Sequence, residues 1–273
     1  MIEQLKYINH FNEVIEFGKE GIFVKTNDLR DFSWDVISYN DKISSFSKGI
    51  VEKTIPVVII CTSEEEGLKK KNKLFEVMEK DVLTGQHGRL VLGDYYLKCF
   101  ITSSSKSNYF YHKGYIEISL KLTTDFPSWV KETKTVFNSS SSKMSEFLDH
   151  PYDFDYDYAT EFDNVIVKNT GFVPANFRMV IYGYANHPKV FIAGHEYSVD
   201  VDIDTGEYLT IDSLQKTIIL TKNNGKKENC FNKRNKASYI FEKIGVGSSL
   251  VTCEGELLVD IILVEERSEP KWT

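Results

Sequence analysis

The sequence contains no apolar run of the ~18 residues that a membrane-spanning helix requires. Its opening stretch, MIEQLKYINHFNEVIEFGKEG, lacks a basic segment followed by an apolar one, so no signal peptide is expected. Cysteine is sparse. Cys61, Cys99, Cys230 and Cys253 form no CxxC pair, which favours reduced, structural thiols over zinc or disulfide roles. The chain is accordingly expected to be made and folded in a cytoplasm. There is no G-x-S-x-G elbow and no phosphate-binding glycine loop. His10, His87, His112, His150, His187 and His195 are scattered without ligand spacing. The zinc-protease pattern fails because Val199 stands where a second histidine would follow His195-Glu196. The net charge of −7 argues against a nucleic-acid grip or an anionic membrane surface. No catalytic, cofactor or metal site is expected, and the chain reads as a non-enzyme.

What is present is aromatic and strand-like. Apolar residues make up 41%, charged residues 27% and aromatics 13%, the last suiting β-rich packing. A chain of 273 residues corresponds to about two domains. One helix stands out, over residues 64–84. Ser63 and Glu66 have capping-box spacing, and Glu64, Glu65 and Glu66 complement the positive end of the dipole. Leu68, Phe75, Met78 and Val82, with Leu74 beside them, predict a buried stripe. Gly85 can close the helix in the left-handed conformation. Lys69, Lys70, Lys71 and Lys73 mostly face elsewhere, and Lys69, Lys70 and Lys73 are candidate assembly contacts.

Around the helix, strands are expected at Gly21–Lys25, at Phe32–Ser38 with Phe32, Trp34 and Val36 on one face, and at Ile50–Cys61. Pro56 marks an edge or bulge in the last of these. Arg89–Ile101 reads as a strand pair broken at Gly93-Asp94, with a loop at Ser103–Lys106. Ile116, Ile118, Leu120 and Leu122 alternate with polar residues, as a half-buried strand does. The serine run from Ser139 is read as the boundary between residues 1–138, a β domain carrying the helix, and residues 139–273.

The second part opens on an aromatic-acidic run, Asp149–Asp163. Short strands follow at Val165–Lys168, Phe177–Tyr184, Val190–Ala193, Glu196–Ile203, Tyr208–Ile211, Thr217–Thr221, Tyr239–Glu242, Leu250–Cys253 and Glu256–Val264. With turn signals between them and no helix, they predict a jelly-roll β-sandwich. Asp153-x-Asp155-x-Asp157 resembles the start of a calcium loop, but Tyr158 and Asn164 stand where that loop needs Gly and Glu. Asp200, Asp202 and Asp204 read as the wet face of a strand. Tyr182 and Tyr184 are read as core residues, with sugar stacking as the competing role. Glu265–Trp272 ends in a large aromatic, which predicts a packed or interface-anchoring tail and makes Arg267 and Trp272 candidate assembly contacts.

Several stretches together resemble the distal tail proteins of long-tailed, non-contractile phages. They are FSWDVISYN at 32–40, NKLFEVMEKDVLTGQHGRLVLGDYYLKCFI at 72–101, FPSWVKE at 126–132, VIYGYANHPKV at 180–190, GEYLTIDSLQKTI at 206–218 and ERSEPKW at 266–272. The resemblance implies a mainly β, two-domain protein. Its first domain would be a β-sandwich or split barrel with one helix, assembling into a hexameric ring, and its second a galectin-like jelly-roll β-sandwich facing outward. It implies a structural role in the virion as the tail-tip or baseplate hub. That hub joins the tail tube protein to the tail-associated tip protein and lets DNA pass through the lumen without specific binding. Receptor-binding proteins dock on the second domain in many members, sometimes through a long arm insertion that the short loops here lack. The competing reading is a carbohydrate-binding protein that recognises host-surface glycans through its C-terminal sandwich.

Overall fold

The computed structural model describes residues 4–110, 114–139 and 165–272. The Asp153-x-Asp155-x-Asp157 run lies outside them, as do His112 and His150. Contacts divide the chain into two compact units, Met1–Lys131 with Glu266–Thr273, and Glu132–Glu265. The serine run places the expected division near Ser139 and leaves the tail with the second part.

The first unit contains β1 (Leu5–Ile8), β2 (Val14–Glu16), β3 (Ile22–Val24), β4 (Asp35–Tyr39), β5 (Lys42–Ser47), β6 (Val51–Ile60), α1 (Glu64–Thr84), β7 (Gly88–Leu92), β8 (Tyr95–Phe110) and β9 (Tyr115–Thr124). β10 (Trp129–Asn138) begins in this unit and ends in the next. The strands pair antiparallel in the order β2-β1-β7-β8-β9-β6-β3. The long strand β8 pairs with β7 over Tyr95–Cys99 and with β9 from Phe100 onward, so it serves two sheets in turn. The expected loop at Ser103–Lys106 is therefore strand. β9 supplies the hydrogen-bond partners there, and a register shift between Ile101 and Ser103 absorbs the irregularity. The alternation in β9 holds, with Ile116, Ile118, Leu120 and Leu122 all buried. Pro56 marks an edge as expected. Lys25 donates its backbone N–H to the Pro56 carbonyl where β3 stops, so the missing proline N–H falls beyond that strand.

Helix α1 lies on β6 and β8. Ser63 Oγ accepts from the Glu66 N–H at 3.2 Å, and Glu66 Oε2 accepts from the Thr62 N–H at 2.8 Å, one residue short of the usual reciprocal bond. Gly85 closes the helix at φ 65°, which costs a residue without Cβ little. The buried face differs from the expected stripe. Gly67, Leu74, Val77, Met78 and Asp81 are buried, whereas Leu68 and Val82 are exposed. The reason is polar. Asp81 is drawn into the core because its carboxylate accepts from Tyr7 Oη at 2.5 Å and from the His10 N–H at 2.9 Å, with His10 Nδ1 also at 2.5 Å. This rotates the stripe away from Leu68 and Val82. Burial, with Cys99 and Asp81 nearby, pushes the Tyr7 hydroxyl well above its ordinary pKa, so it remains a donor.

The second unit holds β11 (Ile166–Asn169), β12 (Asn176–Tyr182), β13 (Ala185–Asn186), β14 (Lys189–Ile192), β15 (His195–Ser198), β16 (Asp202–Ile203), β17 (Tyr208–Asp212), β18 (Thr217–Thr221), β19 (Lys227–Asn229), β20 (Gly247–Glu254) and most of β21 (Leu258–Arg267). One sheet runs β19-β18-β17-β12-β21, a second β11-β20-β14-β15, and β13 pairs with β16. Their inward residues form one core that includes Phe177, Ile181, Val190, Tyr197, Ile211 and Ile261, as in a β-sandwich. Tyr239–Glu242 is a turn rather than a strand. Ile240 and Phe241 are still buried there, and Tyr197 Oη donates to the Glu242 carbonyl at 2.9 Å, so burial without a strand partner imitated a strand pattern. Val201 and Ile203 point inward while Asp200 and Asp202 are exposed, matching the wet-face reading.

Candidate assembly surface

Among the described residues, the hairpin β4–β5 has no other strand beside it. Asn40 and Asp41 sit at φ 49° and 58° between the paired residues Tyr39 and Lys42, which is the two-residue turn whose twist suits a hairpin. Every residue from 31 to 46 is exposed. Among them are Phe32, Trp34, Val36, Ile37, Tyr39, Ile43 and Phe46. Val36 and Phe46 are direct cross-strand partners, and the Trp34 ring meets the Phe46 ring edge-on with centroids 6.5 Å apart. The expected strand with Phe32, Trp34 and Val36 on one face thus exists from Asp35, but neither side of it is buried within the unit. A two-stranded hairpin is marginal by itself, and a contiguous apolar patch on a soluble protein marks an interaction site.

The roots of the hairpin are fixed in the body of the first unit. Lys53 Nζ, on β6, donates to the Asp28 carbonyl at 2.8 Å and to the Asp31 carbonyl at 2.5 Å. Burial lowers the Lys53 pKa, and Asp28 and Asp31 partly restore it. Arg30 Nη1 donates to the Pro270 carbonyl at 2.8 Å, and its guanidinium carbon lies 3.9 Å above the Trp272 ring. Beyond β5, Lys48 Nζ donates to Ser268 Oγ at 2.8 Å and lies 4.3 Å from the Trp34 ring. An open groove of about 730 Å³ runs alongside, lined in part by Leu5, Leu92, Arg30, Phe32 and Trp272.

The residues singled out from sequence fall in different places. Lys69 is 75% exposed and pairs with Glu65 at 2.7 Å. Lys73 pairs with Glu20 at 3.1 Å. Both line a second groove, between α1 and Glu13–Val14, with Lys80. Lys70 turns inward. It is 14% exposed, pairs with Glu66 at 2.6 Å and donates to the Ile60 carbonyl at 2.9 Å. Arg267 donates from Nε to the Glu269 carbonyl at 3.3 Å, and Trp272 lines the hairpin-root groove. Lys69 and Lys73 thus line one groove and Trp272 another. Tyr182 is half-buried and donates to Asp260 Oδ2 at 2.7 Å, whereas Tyr184 is exposed. Among the described residues no His, Cys, Asp and Glu group is arranged to hold a metal, and no helix is long and apolar enough to cross a membrane. All four cysteines are free thiols.

Sequence reasoning missed the hairpin as a surface. The signal was available. Large apolar residues occupy both odd and even positions from Phe32 to Phe46, and Asn40-Asp41 stands between two β-prone runs.

No protein-family model matches the sequence, and no match is found among curated proteins. Solved structures do match. The crystal structure of the Dit protein of phage SPP1, described as a paradigm of the hub adsorption apparatus in phages infecting Gram-positive hosts, aligns over 98% of this chain and 100% of its own with a TM-score of 0.59 and 9% identity. A chain of the phage P2 baseplate in its activated conformation with calcium aligns over 99% and 100%, with a TM-score of 0.64 and 12% identity. The same baseplate with strontium gives a TM-score of 0.63 at 12% identity over the same shares. Across nearly its whole length, then, the chain has the mainly β fold of phage Dit and baseplate hub proteins.

Proposed function

We infer that the protein is a structural, non-enzymatic subunit of a phage tail tip, assembled as a hexameric ring. The observation that carries this reading is the β4–β5 hairpin, apolar on both sides and uncovered within its own unit, on a chain with the hub fold. A hairpin that docks on a different surface of the next copy makes a head-to-tail contact, and such contacts close into rings when the rotation fits. In this reading the first unit, Met1–Lys131 with Glu266–Thr273, builds the ring and Glu132–Glu265 faces outward. The ring joins the tail tube to the tail-associated tip protein and the adhesion apparatus, and DNA passes through its lumen. The net charge of −7 suits a conduit, because a negative wall does not trap a polyanion. Lys69, Lys73, Arg267 and Trp272 remain proposed assembly contacts.

The test is direct. Purified full-length protein, followed by mass photometry over a wide concentration range and imaged in negative stain, is expected to form rings with a central channel. Monomers at every concentration would overturn the proposal.

A further inference from the structure

The chain's last residues lie across both roots of the hairpin. Strand β4 is entered through Asp28–Trp34, and β5 is left through Lys48–Ile50. Residues 268–272 touch each side. Ser268 Oγ accepts from Lys48 Nζ on the exit root, while the Pro270 carbonyl accepts from Arg30 on the entry root. Glu269 Oε1 adds an ion pair to Arg30 at 3.7 Å, and the Trp272 ring stacks on the same guanidinium. The Arg30 side chain is only 14% exposed and Glu269 30%, so the Pro270 and Glu269 contacts are partly shielded from water and hold geometry better than surface pairs do, while the Trp272 ring stays 75% exposed. Lys48 continues the connection into the hairpin itself through the Trp34 ring. On β6, Lys53 holds the entry loop through the Asp28 and Asp31 carbonyls.

We propose that Ser268–Trp272 is a positioning strap. It ties the entry and exit roots of the β4–β5 hairpin together and fixes the direction in which the hairpin presents its apolar residues to a neighbouring copy. This rests on the ring reading above. The physical reason is that a two-stranded ribbon held only by its own ladder can swing about its roots. Association is stronger when the docking element is held in its bound direction beforehand, because less freedom is lost on binding. Arg30 and Lys48 act as positioning residues.

The test compares the full chain with a variant ending at Arg267 and with Trp272→Ala. Two quantities are read: the concentration at half-assembly from sedimentation velocity, and hydrogen exchange of residues 35–47 against the β6–β9 pair. The shortened chain is expected to need at least tenfold more protein to assemble and to exchange faster in the hairpin, with β6–β9 protection unchanged. Trp272→Ala is expected to do the same to a smaller degree, and it serves if the shortened chain does not fold. Unchanged half-assembly and unchanged hairpin exchange in both variants would overturn the strap. If the unaltered chain never assembles, the ring reading fails, and exchange in the hairpin alone decides whether the strap positions it.

Discussion

Replacing Ile43 and Phe46 with serine separates assembly from folding. The two side chains are 63% and 57% exposed in the single chain, so they give the fold little and a partner much. Full burial of an Ile or Phe is worth about 1.5–3 kcal/mol, and covering the exposed share of both is therefore worth about 2–4 kcal/mol per interface. At about 1.4 kcal/mol per tenfold, subunit affinity should fall roughly 30- to 700-fold. Monomer stability has far less to lose. Phe46 gives up its cross-strand contact with Val36 and its edge contact with Trp34, together about 1 kcal/mol. Exposed substitutions otherwise stay within about 0.5 kcal/mol. Sedimentation velocity over a dilution series reads the first quantity, and urea unfolding below the assembly threshold reads the second. An unchanged assembly curve would refute the reasoning. So would a stability loss as large as the assembly loss, since it would make the hairpin a folding element.

Five further variants test the first unit. Asp81→Ala leaves the buried Tyr7 hydroxyl and His10 N–H without their acceptor and should cost about 3–5 kcal/mol in urea unfolding, with Tyr7→Phe costing about 1.5–3 kcal/mol. A loss below about 1 kcal/mol for Asp81→Ala would show that the network does not hold the helix. Bonds from Lys70 and from the Thr62 side chain and N–H pull the Glu66 carboxyl down to about 2. Its contribution is present above the unfolded value of about 4.3 and is lost as the pH falls toward 2, so the melting-temperature gap between the unaltered chain and Glu66→Gln should close between pH 5 and pH 2. A gap that persists at pH 2 would assign the effect to something other than the carboxylate charge. Finally, Lys69→Glu with Lys73→Glu should weaken assembly while leaving the melting curve in place. Lys70→Glu should lower the melting temperature, because that amine holds the Ile60 carbonyl and Glu66. Normal assembly of the Lys69/Lys73 variant would assign that face of α1 to solvent.

How much of this was legible beforehand followed the range of the interactions involved. Helix α1 was readable because its caps lie within a turn of its ends: Ser63 bonds three residues on, and Gly85 closes on Asp81 and Val82. β9 was readable because period-two alternation is a property of the strand itself. The β7–β8 turn at Gly93-Asp94 was readable for the same local reason. Even so, alternation says only which residues share a face and not whether anything covers it. Trp34 and Val36 carry the same signal as Ile116 and Ile118, yet the first pair is in water and the second is in the core. Ser103–Lys106 looks like a loop until β9 supplies its hydrogen bonds, and Tyr239–Glu242 looks like a strand although among the described residues no strand lies beside it.

By itself the sequence determined the helix and its ends, most strand positions, the absence of a recognisable catalytic motif and the resemblance to phage tail-tip proteins. Only the tertiary structure decided which faces are covered. It drew Asp81 inside and left Leu68 out, because Tyr7 and His10, more than 70 positions away, supply its partners. It also brought Pro270 to Arg30 across 240 positions, and so made the C-terminal tail part of the hairpin's foundation. Local spacing carries no information about such contacts, because they arise only when sheets formed from distant segments close around a common core.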